Sequence, residues 1–129
     1  MPVTVHPASP AIGAEIRGVD ISAPMDEATF AVIHKAWLDY SVLLFRGQSL
    51  DPDQQRAFVS LFGTIGKRAS ALAAKRPRAW EGPDYNADAM LVSNIRKDGK
   101  PIGVLPDGEM WFHHDMCYSA TPNRASFLY

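Results

Sequence analysis

With 129 residues, 47% hydrophobic and 21% charged side chains, the chain has the size and composition of one globular domain with a modest core, not of a disordered or membrane-embedded protein. Its net charge of −1 provides no global field for nucleic acid or an anionic membrane, so neither is an expected partner. The single cysteine, Cys117, rules out an internal disulfide; with no basic-then-apolar leader and no apolar run near the ~20 residues that span a bilayer, the expected compartment is the cytoplasm.

In chain order, the segment from Ile12 to Ile21 alternates weakly and is punctuated by glycines, which predicts short strands joined by turns and ending at residues 22–25. Asp26 is placed to cap a helix whose apolar face is Phe30, Ile33, Trp37 and Leu38. Val42, Leu43, Leu44 and Phe45 then form a short apolar run, the pattern of a strand covered on both faces. The second helix has the clearest start: Asp51 as cap, Pro52 in the first turn and Gln54 three residues after the cap, with Phe58, Leu61 and Phe62 facing inward and Gly63 at its end.

From 67 to 89 the pattern predicts a long loop with at most one short helix around 69–75. Lys67, Arg68, Lys75, Arg76 and Arg78 cluster there, and such a charge run most often marks a solvated surface. Residues 90–95 read as a strand, Lys97-Asp98-Gly99-Lys100 as a tight hairpin turn, and Pro106-Asp107-Gly108 as another turn. A strand over 110–118 and a last one over 125–129 complete the reading. Since nothing terminates that last strand, the expectation is that the chain is the front part of a larger fold.

The chemistry is concentrated in Trp111-Phe112-His113-His114-Asp115. On a strand, His113 and Asp115 project from one face and bring an imidazole and a carboxylate together. These are two of the three ligands of a two-histidine, one-carboxylate triad, which holds non-haem Fe(II) with positions left open for a co-substrate and dioxygen. By itself, a His-x-Asp is usually a surface or hydrogen-bonded structural pair. His114 falls on the opposite face and reads as a packed histidine; Cys117 shares the face of the pair and reads as a small buried hydrophobe. Asn94 stands where it could reach the mouth of a site or bond to backbone.

Three segments, in order, carry a resemblance: Ile12-Gly13-Ala14-Glu15-Ile16 with Gly18-Val19-Asp20; Val42-Leu43-Leu44-Phe45-Arg46 through Pro52, Gln55 and Phe62-Gly63; and His113-His114-Asp115 with Pro122. Together they resemble the first half of the taurine dioxygenase and 2,4-dichlorophenoxyacetate dioxygenase family of Fe(II)- and 2-oxoglutarate-dependent oxygenases. The resemblance implies an α+β fold, a partial double-stranded β-helix (jelly roll, cupin-like) with flanking helices, residues 1–129 being the N-terminal part of a single dioxygenase-like domain. It implies His113 and Asp115 as metal ligands, Fe(II) as cofactor and 2-oxoglutarate as co-substrate, consumed to succinate and carbon dioxide as a substrate C–H bond is hydroxylated. The family's distal histidine and its 2-oxoglutarate-binding threonine and arginine have no counterpart here: His6, His34 and His114 lie upstream of or beside the motif, and Arg124 falls too early. By register Arg68 occupies the substrate-anion position where the family often has histidine, and Phe112 stands where it commonly has tryptophan. Arginine suits a carboxylate or sulfonate, so the partners implied are a small anionic organic substrate and dioxygen.

The leading expectation is therefore an oxidoreductase, a 2-oxoglutarate-dependent dioxygenase or its N-terminal fragment, completed by missing sequence, by a complementing C-terminal chain or within a homo-oligomer. The alternatives are a catalytically inactive remnant or interaction module without the distal ligand, and a small cupin-like zinc protein.

Overall fold

The structure is a computed structural model that describes residues 2–66, 89, 91–103, 108, 111–117 and 119–129. It divides into two compact units, Met1–Thr64 and Ile65–Tyr129.

The first unit is built on strands β1 (Thr4–Pro7), β2 (Ala14–Arg17) and β3 (Leu43–Leu44), in the order β1-β2-β3. β1 and β2 pair antiparallel, Thr4 with Arg17 and Pro7 with Ala14. The link between them is tightened by Ser9, whose hydroxyl oxygen accepts from the Ile12 amide at 2.9 Å and donates to the Ile12 carbonyl at 2.6 Å. β2 and β3 pair parallel, Ala14 with Leu43. A parallel pair needs a long crossover, which helix α1 (Glu27–Tyr40) supplies. β2 alternates as a half-covered strand should: Ala14 and Ile16 are buried and Arg17 is exposed.

α1 starts where the sequence places it. The Asp26 carboxylate accepts from the Thr29 amide at 2.8 Å, satisfying one of the first-turn donors that have no intrahelical partner. It stops at Ser41, whose left-handed backbone (φ 63°) turns its amide onto the Trp37 carbonyl. Its inner residues Ile33 and Ala36 pack on Ile16, and Val3, Val5, Val19, Met25, Tyr40, Leu43, Phe45 and Phe62 close the core around them.

Helix α2 (Pro52–Ser60) carries the full reciprocal cap: Asp51 accepts from the Asp53 and Gln54 amides, and the Gln54 side chain accepts from the Asp51 amide at 2.9 Å. It delivers Phe58 into the core, edge-on to Phe45 and Phe62. Gln48 fastens the loop after β3, accepting from the Ile21 amide and donating to the Val19 carbonyl.

Three expectations about this unit are corrected. Leu61, read as facing inward, is 41% exposed at the C-cap of α2. Leu38 is 61% exposed, because it follows Ile33 by five residues and so lies about 140° around the helix from the buried face. The apolar run at 42–45 is covered on one face only: Val42 and Leu44 are 55% and 41% exposed, while Leu43 and Phe45 pack on the core. β3 has one described neighbour, β2, and α1 covers a single side of this small sheet.

In the second unit, β4 (Arg96–Lys97) and β5 (Lys100–Pro101) form the expected hairpin. Asp98 and Gly99 both take positive φ (51° and 75°), the requirement of the mirror-image two-residue turn. The three strands expected elsewhere in this unit are not formed by the described residues 91–95, 111–117 and 125–129. Strand propensity becomes a strand only when a partner supplies the ladder, and at Cys117 and Ser119 the backbone amides bond locally instead. The Cys117 amide donates to the His114 carbonyl, the Ser119 amide donates to the Met116 carbonyl, and Met116 is left-handed (φ 59°). The expected loop over 67–89 lies, apart from Ala89, outside the described residues, as does most of the turn at 106–108.

Candidate metal centre

Where a strand was expected, a turn brings His113 and Asp115 together. His113 Nε2 lies 3.1 Å from Asp115 Oδ1. On the other side of the ring, His113 Nδ1 is 2.8 Å from the Trp111 carbonyl. A carbonyl only accepts, so Nδ1 must carry a proton and donate it, which leaves Nε2 as the nitrogen whose lone pair is free to bind a cation. The backbone thereby selects the tautomer and sets the ring plane. The second carboxylate oxygen, Asp115 Oδ2, accepts the hydroxyl proton of Ser126, eleven residues further on.

The pair faces a cleft of about 310 Å³, whose remaining walls are His114, Asn123, Arg124, Ala125 and Ser126. Both side chains are about half exposed, 49% and 53%, and exposed ion pairs of this kind add little to stability. What the arrangement provides is a nitrogen and an oxygen donor aimed at one accessible point.

Each group's ionisation follows from its contacts. The Trp111 carbonyl first, and Asp115 second, raise the His113 pKa above the ordinary 6.5. The Ser126 hydroxyl, the largest influence, holds Asp115 below the ordinary 3.8; the cost of burial opposes it, and the His113 contact adds a smaller lowering. Acceptors beside both Nδ1 and Nε2 favour the imidazolium form relative to a free histidine, and a proton on Nε2 occupies the place a cation would take. The donor set fits a divalent transition metal: neutral imidazole and carboxylate are ligands that Fe(II) accepts. Among the described residues no cluster of three or more His, Cys, Asp or Glu side chains forms, so a third protein ligand is not found there.

The raised histidine has a definite pH consequence. A folded-state pKa above 6.5 makes the pair's mutual stabilisation complete below pH 6.5 and lost as pH rises through the folded value. The lowered carboxyl makes its own contribution complete above pH 3.8 and lost as pH falls through its folded value. A metal must displace the Nε2 proton, so Co(II) affinity should climb by about tenfold per pH unit up to the folded histidine pKa and then level off. A Co(II) titration repeated across this range checks it; affinity that is flat with pH contradicts a ligand role for Nε2.

The candidates read from sequence are distributed unevenly. His113 and Asp115 are brought together. His114, assigned to the opposite face, lines the same cleft, since alternation does not apply in a turn. Cys117 is exposed rather than a buried hydrophobe, for the same reason. Asn94 is exposed and is not among the described residues lining the cleft. Arg68 lies outside the described residues. Ser126, Asn123 and Arg124 were not singled out as walls of the site; the only signal for them was their position just past Pro122, where the chain doubles back through the Ser119 and Thr121 turn.

A family model described as taurine catabolism dioxygenase TauD, TfdA family matches residues 4–129. Similar curated proteins include an (S)-phenoxypropionate/alpha-ketoglutarate-dioxygenase of Delftia acidovorans, 33% identical over 95 residues, covering 74% of this chain and 27% of the relative. An alpha-ketoglutarate-dependent sulfate ester dioxygenase of Pseudomonas putida is 47% identical over 60 residues, covering 46% of this chain and 20% of the relative. Among solved structures, a Burkholderia xenovorans protein assigned as an alpha-ketoglutarate dependent 2,4-D dioxygenase superposes with a TM-score of 0.50 at 35% identity, over 53% of this chain and 26% of that one. The chain thus matches 27% and 20% of the length of these two curated relatives.

Proposed function

The chain belongs to the taurine catabolism dioxygenase TauD, TfdA family, and on that premise we propose that residues 1–129 are the N-terminal part of a single Fe(II)- and 2-oxoglutarate-dependent dioxygenase domain that hydroxylates a small anionic organic molecule. The observation that carries this reading is the convergence of His113 Nε2 and Asp115 Oδ1 on one accessible point, with Nδ1 already committed to the Trp111 carbonyl. The double-stranded β-helix, the third metal ligand and the groups that grip 2-oxoglutarate then belong to residues outside those described or to chain beyond Tyr129.

Iron and 2-oxoglutarate, when bound, supply the oxidising chemistry: decarboxylation of the 2-oxo acid coupled to dioxygen and hydroxylation of a C–H bond. The protein's part is positional. His113 is a neutral donor whose orientation is set by the Trp111 carbonyl. Asp115 adds one negative charge, which leaves the centre able to accept a dianionic 2-oxo acid. Arg68 is the candidate for the substrate anion, through a paired contact of guanidinium with carboxylate or sulfate, and Asn94 is the second candidate on the substrate side. An anionic substrate is in keeping with relatives that act on phenoxypropionate and sulfate esters.

The test is succinate release from 2-oxoglutarate in the presence of Fe(II), oxygen and a panel of aryloxyalkanoates, alkyl sulfates and sulfonates, with a C-terminal complement of the family's length supplied where the 129-residue chain alone is silent. Succinate that depends on iron and on one of these anions is the expected result. No turnover in any combination, together with no iron uptake, would favour the interaction-module alternative.

A further inference from the structure

Ser126 makes a contact that the dioxygenase reading leaves without a role. It reaches Asp115 across eleven residues, so the contact is not a local side-chain habit. Between the two, the chain is folded back by a run of turns: the Ser119 amide onto the Met116 carbonyl at 2.9 Å, then the Ser119 hydroxyl between the Thr121 amide and carbonyl, both at 3.2 Å. The result is a division of labour within one carboxylate. Oδ2 is held by the Ser126 hydroxyl, and Oδ1 is the oxygen beside His113 Nε2.

We propose that Ser126 is a positioning residue for the metal centre: by donating its hydroxyl proton to Asp115 Oδ2 it keeps that oxygen off the metal, so that Asp115 binds through Oδ1 alone. This rests on the reading of His113 and Asp115 as metal ligands. The consequence for function is the number of open coordination positions. A carboxylate free to rotate can chelate through both oxygens and take up a position that a co-substrate or dioxygen needs; a carboxylate tied at Oδ2 cannot do so without breaking the serine bond. Outer-shell partners of ligating carboxylates act in this way, and their loss costs about 10–100-fold in metal affinity. The serine bond also withdraws charge from the carboxylate, the same effect that holds Asp115 below the usual carboxyl range.

The experiment is a Co(II) titration of the full chain, followed by its visible absorption, for the wild type, Ser126→Ala and Ser126→Thr. Ser126 is exposed, so alanine leaves no cavity. The expected result for S126A is a weaker visible band as the freed carboxylate raises the coordination number, with a change of about 10–100-fold in Co(II) affinity, and recovery of both in S126T, which keeps the hydroxyl. Should S126A not fold, Ser126→Val against Ser126→Thr makes the same comparison at equal shape, with and without the hydroxyl. S126A with wild-type affinity and spectrum, or S126T no better than the hydroxyl-free variant, overturns the positioning role and leaves the metal reading standing. A wild type that takes up no Co(II), even with a C-terminal complement of the family's length present, overturns both.

Discussion

Asp115→Ala should abolish iron uptake and 2-oxoglutarate turnover while leaving the melting temperature almost unchanged. The two effects separate because of where the side chain sits. Asp115 is half exposed and its contacts with His113 and Ser126 are exposed hydrogen bonds, so its removal opens no buried cavity. It is, however, the one carboxylate among the described residues lining the cleft. Without it, His113 is the sole ligand of the pair, and a divalent cation loses both a donor and the charge that offsets its own. The loss should exceed the roughly 10–100-fold that removal of an outer-shell partner costs, because a ligand itself is gone. His113→Ala should do the same by the complementary route. A second readout is internal: with Asp115 gone, the His113 pKa should fall back toward 6.5, retaining the part of its rise owed to the Trp111 carbonyl, as a proton NMR titration of the imidazole would show. Iron uptake at wild-type level in Asp115→Ala would mean that the metal, if any, is held elsewhere.

Ile33→Ala should cost about 2–5 kcal/mol of unfolding free energy, the range for truncating a large buried aliphatic side chain. Ile33 is fully buried, the one large side chain among the described residues with that status, and stands at the meeting of α1 with Ile16 on β2. The core it completes is small, and a domain's whole stability is about 5–15 kcal/mol, so this one change should remove a large fraction of it. Ile33→Val, which deletes a single methylene, should cost about 0.5–1.5 kcal/mol. Urea unfolding of the full chain measures both. A loss well under 1 kcal/mol for alanine would place Ile33 outside the core. The contrast with Asp115 is the useful part: one substitution removes stability, and the other removes metal with stability intact.

What the sequence disclosed follows from how local each signal is. The caps at Asp26 and at Asp51, Pro52 and Gln54, and the Asp98-Gly99 turn, are decided within four residues, and each stands where it was read. Strands depend on partners distant in sequence, which is why the apolar and aromatic stretches at 110–118 and 125–129 were legible as strand-forming composition but not as the turns and irregular chain the described residues adopt. The approach of His113 to Asp115 did not depend on that strand. His113 and Asp115 were expected to meet because alternate strand residues share a face; they meet because a turn with Met116 in the left-handed region bends the chain, and no residue type at 116 announces this. The same bend carries His114 into the cleft and leaves Cys117 in solvent, so both face assignments failed together. Ser126 could not be singled out from sequence, since its contact with Asp115, eleven positions away, depends on the path of the chain between them.

The most direct test of a shared metal is anomalous X-ray diffraction at the iron edge from anaerobic crystals loaded with Fe(II) and 2-oxoglutarate. A peak within about 2.2 Å of both His113 Nε2 and Asp115 Oδ1, the range of ordinary nitrogen and oxygen ligands to a divalent transition metal, is the predicted result. Iron bound elsewhere, with the histidine still donating its proton to the carboxylate, would contradict it.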